Sequence, residues 1–567
     1  MPERRDRARK RVVEDPALLH RRDRPPSGRS RPGVSDPAGA SNSLTEPIRA
    51  CTLPVSHSVL NEDAKEEMTT SAYLAIDEGT TNSKALLVDA SGRVLASGSA
   101  AVGLRNPAPS HFEQDGEQIW AATQAAVAEC LAKLPDVAPA ALAISNQRES
   151  VVAWSRSTGE VLGPVIGWQD GRTAERCAHI ATPQTAALVA GRTGLHLDPM
   201  YSATKMAWLH DLVVSNGHRP GDVVVGTLDA FLVARLTGGA TVRCDASNAS
   251  RTLLYNIHDL AWDAELCELF GVPMETLPEV EHSDGDFGTT APGSAVPAGV
   301  PIAAVLGDSH AALYGQACDR PGLGKVTYGT GSSVMVPTSE SAPADGTRVD
   351  TTLAWLTDGP LYAREGNILA TGAALETFGA ILGLRPAGPA LSALAETARD
   401  NGGVQVVPAF SGLAAPHWDR SAVGLVSGVR RDTTAAHVAR ATVESTAHQI
   451  ADIVEEIERG GDPVDLLRAD GGASVNPFVM QVQADLIGRP VHVAATAELS
   501  AVGVARLAMH ADGSDSHPEG TPTTYTVYEP GLSTASREEA RAQWREAVDR
   551  SSGRAVRTAG HDGEEHA

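Results

Sequence analysis

The sequence predicts an α/β protein of two or more domains. Three observations carry that reading. The chain has 567 residues, too many for one hydrophobic core. Short apolar runs alternate with stretches of helical period along most of its length. The same hairpin of small polar residues also occurs twice. The first joins Tyr73-Leu74-Ala75-Ile76 to Ala85-Leu86-Leu87-Val88 through Gly79-Thr80-Thr81-Asn82-Ser83. The second runs from Val326 to Val336 through Gly329-Thr330-Gly331-Ser332. Each opens a half built of strands and helices, which suggests a duplicated architecture.

Composition removes several classes of function. The apolar fraction of 42% is ordinary for a globular protein, and no run of 18 apolar residues could span a membrane. The six cysteines are scattered without a CxxC pair, which argues against a zinc module or disulfide scaffold and for a reduced, cytoplasmic protein. A formal charge of −23 argues against general nucleic-acid binding. An anionic ligand would need a local site.

In chain order, residues 1–70 are expected to be a disordered tail. Up to Ala40 it carries 11 Lys or Arg against 6 Asp or Glu, with frequent Pro and Ser and no apolar period. The interspersed acids and the missing apolar region speak against a targeting signal. Met68 begins MTTSAYLAID just before the first strand, so translation is expected to begin at or near it. A first domain is expected over 71–316 and a second over 317–550. A disordered tail is expected over 551–567. Within the first domain, Arg93 to Val102 continues strand-like, and Asp115 caps a helix marked by Trp120, Val127, Leu131 and Leu134. A strand from Ala141 to Ser145 ends in Asn146-Gln147-Arg148-Glu149-Ser150, polar residues where open α/β sheets bind ligands. Val151 to Trp154 is a strand; helices are expected around Met206 and from Asp229 to Leu236. Ile302 to Leu306 is a strand ending at Gly307-Asp308-Ser309-His310, with a helix from Ala311 to Ala317. In the second domain a long helix is expected from about Ala435 to Glu456. A strand from Leu467 then enters the loop Asp470-Gly471-Gly472, and a last helix covers Arg537 to Val548.

The two hairpin turns can bring backbone N–H groups and hydroxyls close to phosphate oxygens. Asp77 at a strand end and Lys84 past the turn could hold a metal and a phosphate. There is no GxxxxGK[ST], and no GxGxxG follows a strand. Phosphate handling therefore falls to the two hairpins and the Asp470-Gly471-Gly472 loop. An ordinary hairpin explains either turn alone; the three features together favour a nucleotide site between two domains.

Longer strings narrow the reading. Met200 to Leu209, Gly424 to Glu444, Ser145-Asn146-Gln147-Arg148-Glu149, Asn248-Ala249-Ser250-Arg251-Thr252 and Gly412 to Asp419 resemble, in this order, the FGGY family of carbohydrate kinases and within it the glycerol kinases. The likeness runs from about Tyr73 to about Ala508. It implies the actin-like, ribonuclease-H-like ATPase fold, with ATP and substrate in the cleft between two domains.

Carried over by position, the resemblance makes Asp308 the catalytic base, against the simpler role of a helix N-cap. Asp77 would act on Mg2+, directly or through water. Thr80, Thr81 and Asn82 would meet the nucleotide phosphates, with Lys84 where these kinases usually have Arg. Thr330 belongs to the second phosphate turn. Gly372, Glu376, Gly472 and Asn476 match nucleotide-contacting positions, Glu376 standing for the usual Gln. In the substrate pocket Arg148, Glu149 and Trp168 match the residues that grip a polyol. Met200 replaces a Tyr, Ser309 a Gln and Ser333 an aromatic wall, unless Tyr201 and waters repair the difference. The expected reaction is ATP-dependent phosphorylation of a primary hydroxyl, glycerol to glycerol 3-phosphate first. The alternative is a four- or five-carbon polyol or a ketose of erythritol, pentitol or xylulose type; a catalytically silent nucleotide sensor comes third. The implied partners are ATP, Mg2+ and a small polyol or sugar, with no nucleic acid and no membrane span; a homo-oligomer is left open.

Overall fold

The computed structural model describes residues 11–13, 71–341, 346–514 and 524–553. Its N-terminal half is built on a five-stranded sheet in the order Ile302–Gly307, Pro139–Asn146, Ala72–Glu78, Asn82–Asp89, Val94–Ala101. The last three strands form an antiparallel meander, and the first two run parallel to Ala72–Glu78. The C-terminal half repeats this arrangement with Val491–Ala494, Val464–Gly471, Gly322–Tyr328, Ser332–Thr338 and Pro360–Ile368, in the same relative directions. The duplication read from the two hairpins is thus a duplication of whole sheets. The second sheet is widened by Asp350–Leu356 on one side and Tyr525–Tyr528 on the other.

Arg11–Val13, inside the segment expected to be without structure, pair antiparallel with Tyr525–Val527. The reason is local: an edge strand leaves unpaired N–H and C=O groups, and a stretch with two valines can occupy them. The rest of the expected N-terminal tail, Met68 included, and residues 554–567 lie outside the described residues.

The strands form as their composition dictates. Tyr73 to Ile76 are buried on both faces, as a central strand between parallel and antiparallel neighbours requires. The helix Gly116–Ala132 starts where Asp115 accepts hydrogen bonds from the backbone N–H groups of Glu117 and Gln118, and it buries Ile119, Ala126, Val127 and Cys130 on the sheet. The helix after Ile302–Gly307 spans Asp308–Gly315, three residues earlier than expected, because the chain turns from strand to helix directly at Gly307. The long helix Ala435–Arg459 is closed at its start by a Thr434–His437 capping box.

The two halves meet along Asp308–Gly315 and Leu499–Ala511. A side chain on Gly503 would lie 1.9 Å from the Ala311 carbonyl oxygen, so the helices touch backbone to backbone. This contact places the start of the first helix, and with it Asp308, at the junction of the halves. Among the described residues no helix is long and apolar enough to cross a membrane.

Candidate active site

Strand ends and hairpin turns from both halves converge on two adjoining cavities, of about 250 and 740 Å³. The smaller is lined by Thr80, Thr81, Arg148, Glu149, Trp168, Met200, Asp308, Ser309, Ser333 and Thr330, among others. The larger is lined by Gly372, Glu376, Gly472 and Asn476, and again by Thr330. Gly329 and Thr330 border both, so the second hairpin turn is the threshold between them. Asp77, Asn82 and Lys84 line neither. Asn82 is exposed beside Thr81, and Lys84 sits opposite Asp77 in the hairpin with Nζ 2.6 Å from Glu498 Oε2.

Asp308 is not the helix cap; Gly307 holds that position. Its carboxylate is 40% exposed toward the cavity, 2.6 Å from the Ser309 N–H and 3.3 Å from Arg148 Nε. Burial and the nearby Glu149 charge push its pKa up, and Arg148 only partly offsets them. Asp77 accepts a hydrogen bond from Ser145 Oγ at 2.9 Å, yet burial and the Asp308 charge lift its pKa to about 6. A buried carboxylate whose ionisation is disfavoured in this way suits a hard divalent cation. Among the described residues no group of three or more His, Cys, Asp or Glu forms a metal cage. Mg2+ binds through one or two carboxylates and completes its shell with phosphate oxygens and water.

The wall of the smaller cavity is a chain of alternating charges. Arg148 makes a fork to Glu365 at 2.8 and 3.1 Å. Arg251 reaches Glu365 Oε2 at 2.7 Å with one nitrogen and Glu149 Oε1 at 2.7 Å with another. Ser333 Oγ donates to Glu365 at 3.0 Å, so its hydroxyl is engaged with the wall. Burial opposes ionisation of Glu365, but the two guanidinium groups hold its pKa well below the usual carboxylate range. Glu149 itself has φ of 62°, a left-handed conformation rare for its type. On the opposite side Trp168 Nε1 donates to Thr80 Oγ1 at 3.1 Å, tying the aromatic wall to the first hairpin turn. Tyr201 does not repair the pocket: it is fully buried, donates to Asp350 and lies under Arg251.

In the larger cavity the threshold turn is fastened to a helix start. Gly372 N–H donates to the Gly329 carbonyl at 3.1 Å and Ala373 N–H to the Thr330 carbonyl at 3.0 Å. A side chain on Gly372 would meet the Gly329 oxygen at 2.5 Å. Across the cavity, Asn476 caps the helix Pro477–Ile487 through its amide oxygen, and Val475 is 74% exposed as an apolar surface. Glu376 Oε1 lies where a side chain on Gly388 would otherwise sit. A cavity of this volume, apolar on its walls and rimmed by glycine backbone, fits a nucleotide.

Comparison with known proteins agrees with this geometry. The N-terminal domain of the FGGY family of carbohydrate kinases matches residues 72–315, and its C-terminal domain matches 324–511. The chain belongs to the FGGY family. This FGGY kinase is 42% identical to the glycerol kinase of Alkalilimnicola ehrlichii, over 85% of this chain and 98% of that one. It is 43% identical to the apulose kinase of Pectobacterium atrosepticum, over 85% and 99%. The crystal structure of Plasmodium falciparum glycerol kinase with ADP superposes with a TM-score of 0.77 at 28% identity, covering 85% of this chain and 98% of that one. The chain is therefore an ATP-dependent carbohydrate kinase with the actin-like ATPase fold.

Sequence reasoning missed Glu365, which organises the wall of this FGGY kinase, and gave Arg251 no role. Glu365 lies 217 positions from Arg148, so no local pattern joins them. The available signal was a glutamate in the middle of the strand Pro360–Ile368, where it is fully buried.

Proposed function

We propose that this FGGY kinase transfers the γ-phosphoryl group of ATP to a primary hydroxyl of a small polyol, with glycerol giving glycerol 3-phosphate. One observation carries the proposal: Asp308, Arg148, Glu149 and Trp168 wall a single cavity that opens at Thr330 onto a nucleotide-sized one. Arg148 and Glu149 hold two acceptor hydroxyls, and Trp168 covers the carbon face. Asp308 takes the proton from the hydroxyl that attacks. The turns at Thr80-Thr81-Asn82 and Thr330 supply N–H and hydroxyl donors to the phosphates, with Lys84 beside the first. Gly372, Glu376, Gly472 and Asn476 surround the nucleoside. Asp77 would hold Mg2+, directly or through water, and the ion would neutralise phosphate charge. Enclosure between the halves keeps water from competing with the acceptor hydroxyl. The five cysteines among the described residues are buried and unpaired, in keeping with a reducing cytoplasm.

A second reading is supported by Met200, Ser309 and Ser333, which leave the acceptor cavity without a ring at any of these positions, and by the likeness to an apulose kinase. Under it the best acceptor is a four- or five-carbon polyol or a ketose. The test is ADP release with Mg-ATP and glycerol, erythritol, ribitol, xylitol, dihydroxyacetone or xylulose, with Asp308→Ala as the blank. Highest kcat/KM on glycerol supports the first reading and on a longer acceptor the second. No acceptor above the blank overturns both.

A further inference from the structure

Glu365 stands apart from the residues around it. It lines neither cavity, yet both arginines of the acceptor wall end on it. It belongs to the C-terminal sheet, in register with Met335 on one neighbour and Asp350 on the other. Arg148 and Arg251 come from the N-terminal half. Each guanidinium has one end on Glu365 and the other on a carboxylate of the acceptor cavity: Arg148 on Asp308 at 3.3 Å, Arg251 on Glu149 at 2.7 Å. The wall thus reads Asp308, Arg148, Glu365, Arg251, Glu149, with signs alternating and Glu365 at the centre. Glu365, Arg251 and Arg148 are 0%, 0% and 6% exposed, so water cannot substitute for a missing partner.

We propose that Glu365 is a positioning residue for the acceptor, fixing the two guanidinium groups so that Asp308 and Glu149 face the cavity at the right places. The proposal rests on reading the smaller cavity as the acceptor site. Its physical basis is competition for charge. With the Glu365 charge in place, each guanidinium is shared between the wall and the cavity as an ion pair. Without it, two buried cations have only Asp308 and Glu149 left as carboxylate partners among those they now contact. They would draw closer to the groups that must bind hydroxyls and accept a proton. The nucleotide cavity has no part in this chain.

The test is steady-state kinetics on Glu365→Gln and Glu365→Asp, with ATP and the acceptor varied separately. Gln keeps the size and removes the charge. The acceptor KM is expected to rise roughly 30-fold or more, the scale of losing one partner of a buried charge pair. The KM for ATP should stay within about twofold, because no contact of Glu365 reaches that cavity. Asp keeps the charge with a shorter reach, so its acceptor KM should lie between wild type and Gln. An unchanged acceptor KM in either folded variant, or equal rises in both KM values, would overturn the proposal and leave Glu365 a packing residue. If the Gln variant does not fold, the Asp variant decides by the same split. Wild-type enzyme inactive on every acceptor would instead count against the acceptor reading itself, which separates the two failures.

Discussion

Replacing Asp308 by Asn tests the chemistry most directly. The acceptor cavity offers two carboxylates, and their surroundings differ. Glu149 is tied to Arg251 at 2.7 Å, whereas Asp308 has Arg148 Nε only at 3.3 Å and keeps 40% of its side chain open to the cavity. Asp308 is thus the less engaged of the two, as the proposed base should be. Asn preserves the shape and one acceptor oxygen but cannot act as a base. A positioned base contributes roughly 10²–10⁴-fold, which corresponds to about 3–5 kcal/mol of activation free energy. kcat should fall by that factor in a coupled ADP-release assay. MgADP affinity, measured by calorimetry, should hold within about twofold, since Asp308 is absent from the nucleotide cavity. The pH profile adds a second readout. A base at Asp308 would work ionised, and burial raises its folded pKa, so activity should be lost as pH falls through that raised value. The acid limb of wild-type kcat/KM should therefore lie above the ordinary aspartate range near about 3.9, and the Asn variant should lack it. A kcat within tenfold of wild type, or an unchanged acid limb in the variant, would refute the assignment.

Three further expectations concern the C-terminal half. Gly372→Ala puts a methyl group 2.5 Å from the Gly329 oxygen at the threshold turn. Overpacking of this kind costs roughly 1–3 kcal/mol, and calorimetry should show weaker nucleotide binding with acceptor affinity retained. Arg541, on the last helix, is buried against Asp452 and bonds Glu455 at 2.8 Å. Arg541→Met would leave the Asp452 charge without its guanidinium and should cost about 3–5 kcal/mol in urea unfolding of that half. The same aspartate sets an acid limit. Burial alone would raise it, but His417, Arg541 and Trp544 hold its pKa at about 2. A depressed folded pKa stabilises above the unfolded value and loses that contribution as pH falls toward the folded one. Acid unfolding should therefore draw on Asp452 between about pH 4 and pH 2 in wild type, and much less in the Arg541→Met variant.

What the sequence made legible was whatever is local. The Gly/Thr/Ser turns need small residues at consecutive positions, so both hairpins and the duplication they mark could be read directly. Arg148 and Glu149 follow a strand end, where α/β sheets present ligand-binding groups. The helix cap at Asp115 is a short-range pattern of the same kind. The acceptor wall was not legible, because its order is set by pairing across sheets. Glu365 meets Arg148 and Arg251 through strand register, and Tyr201 is drawn to Asp350 instead of the cavity. The strand at Arg11–Val13 was hidden for the same reason: its partner is more than 500 residues away.

The remaining question is how a chain of charge −23 holds an anionic nucleotide. The cations near the threshold do not answer it. Lys84 is held by Glu498 at 2.6 Å, and Lys325 is fully buried with its ammonium on Thr327 at 3.0 Å. The carboxylates of Asp77, Asp308 and Glu376 would all repel bare triphosphate. Neutral donors on the two turns cannot offset that alone, so binding should depend on the divalent cation for sign as well as for chemistry. Asp77→Asn separates the contributions. It removes a group that favours the cation, and loss of such a partner typically costs roughly 10- to 100-fold in metal affinity. It also removes one of the charges that repel ATP. The Mg2+ concentration for half-maximal rate should rise by about that factor, while calorimetry in EDTA should show bare ADP binding no more weakly than to wild type, or more tightly. An unchanged Mg2+ midpoint would take Asp77 out of the cation site. Weaker binding of bare ADP would show that the first hairpin recognises the phosphates through Asp77's structural role, and that the carboxylate's charge is not what the cation offsets.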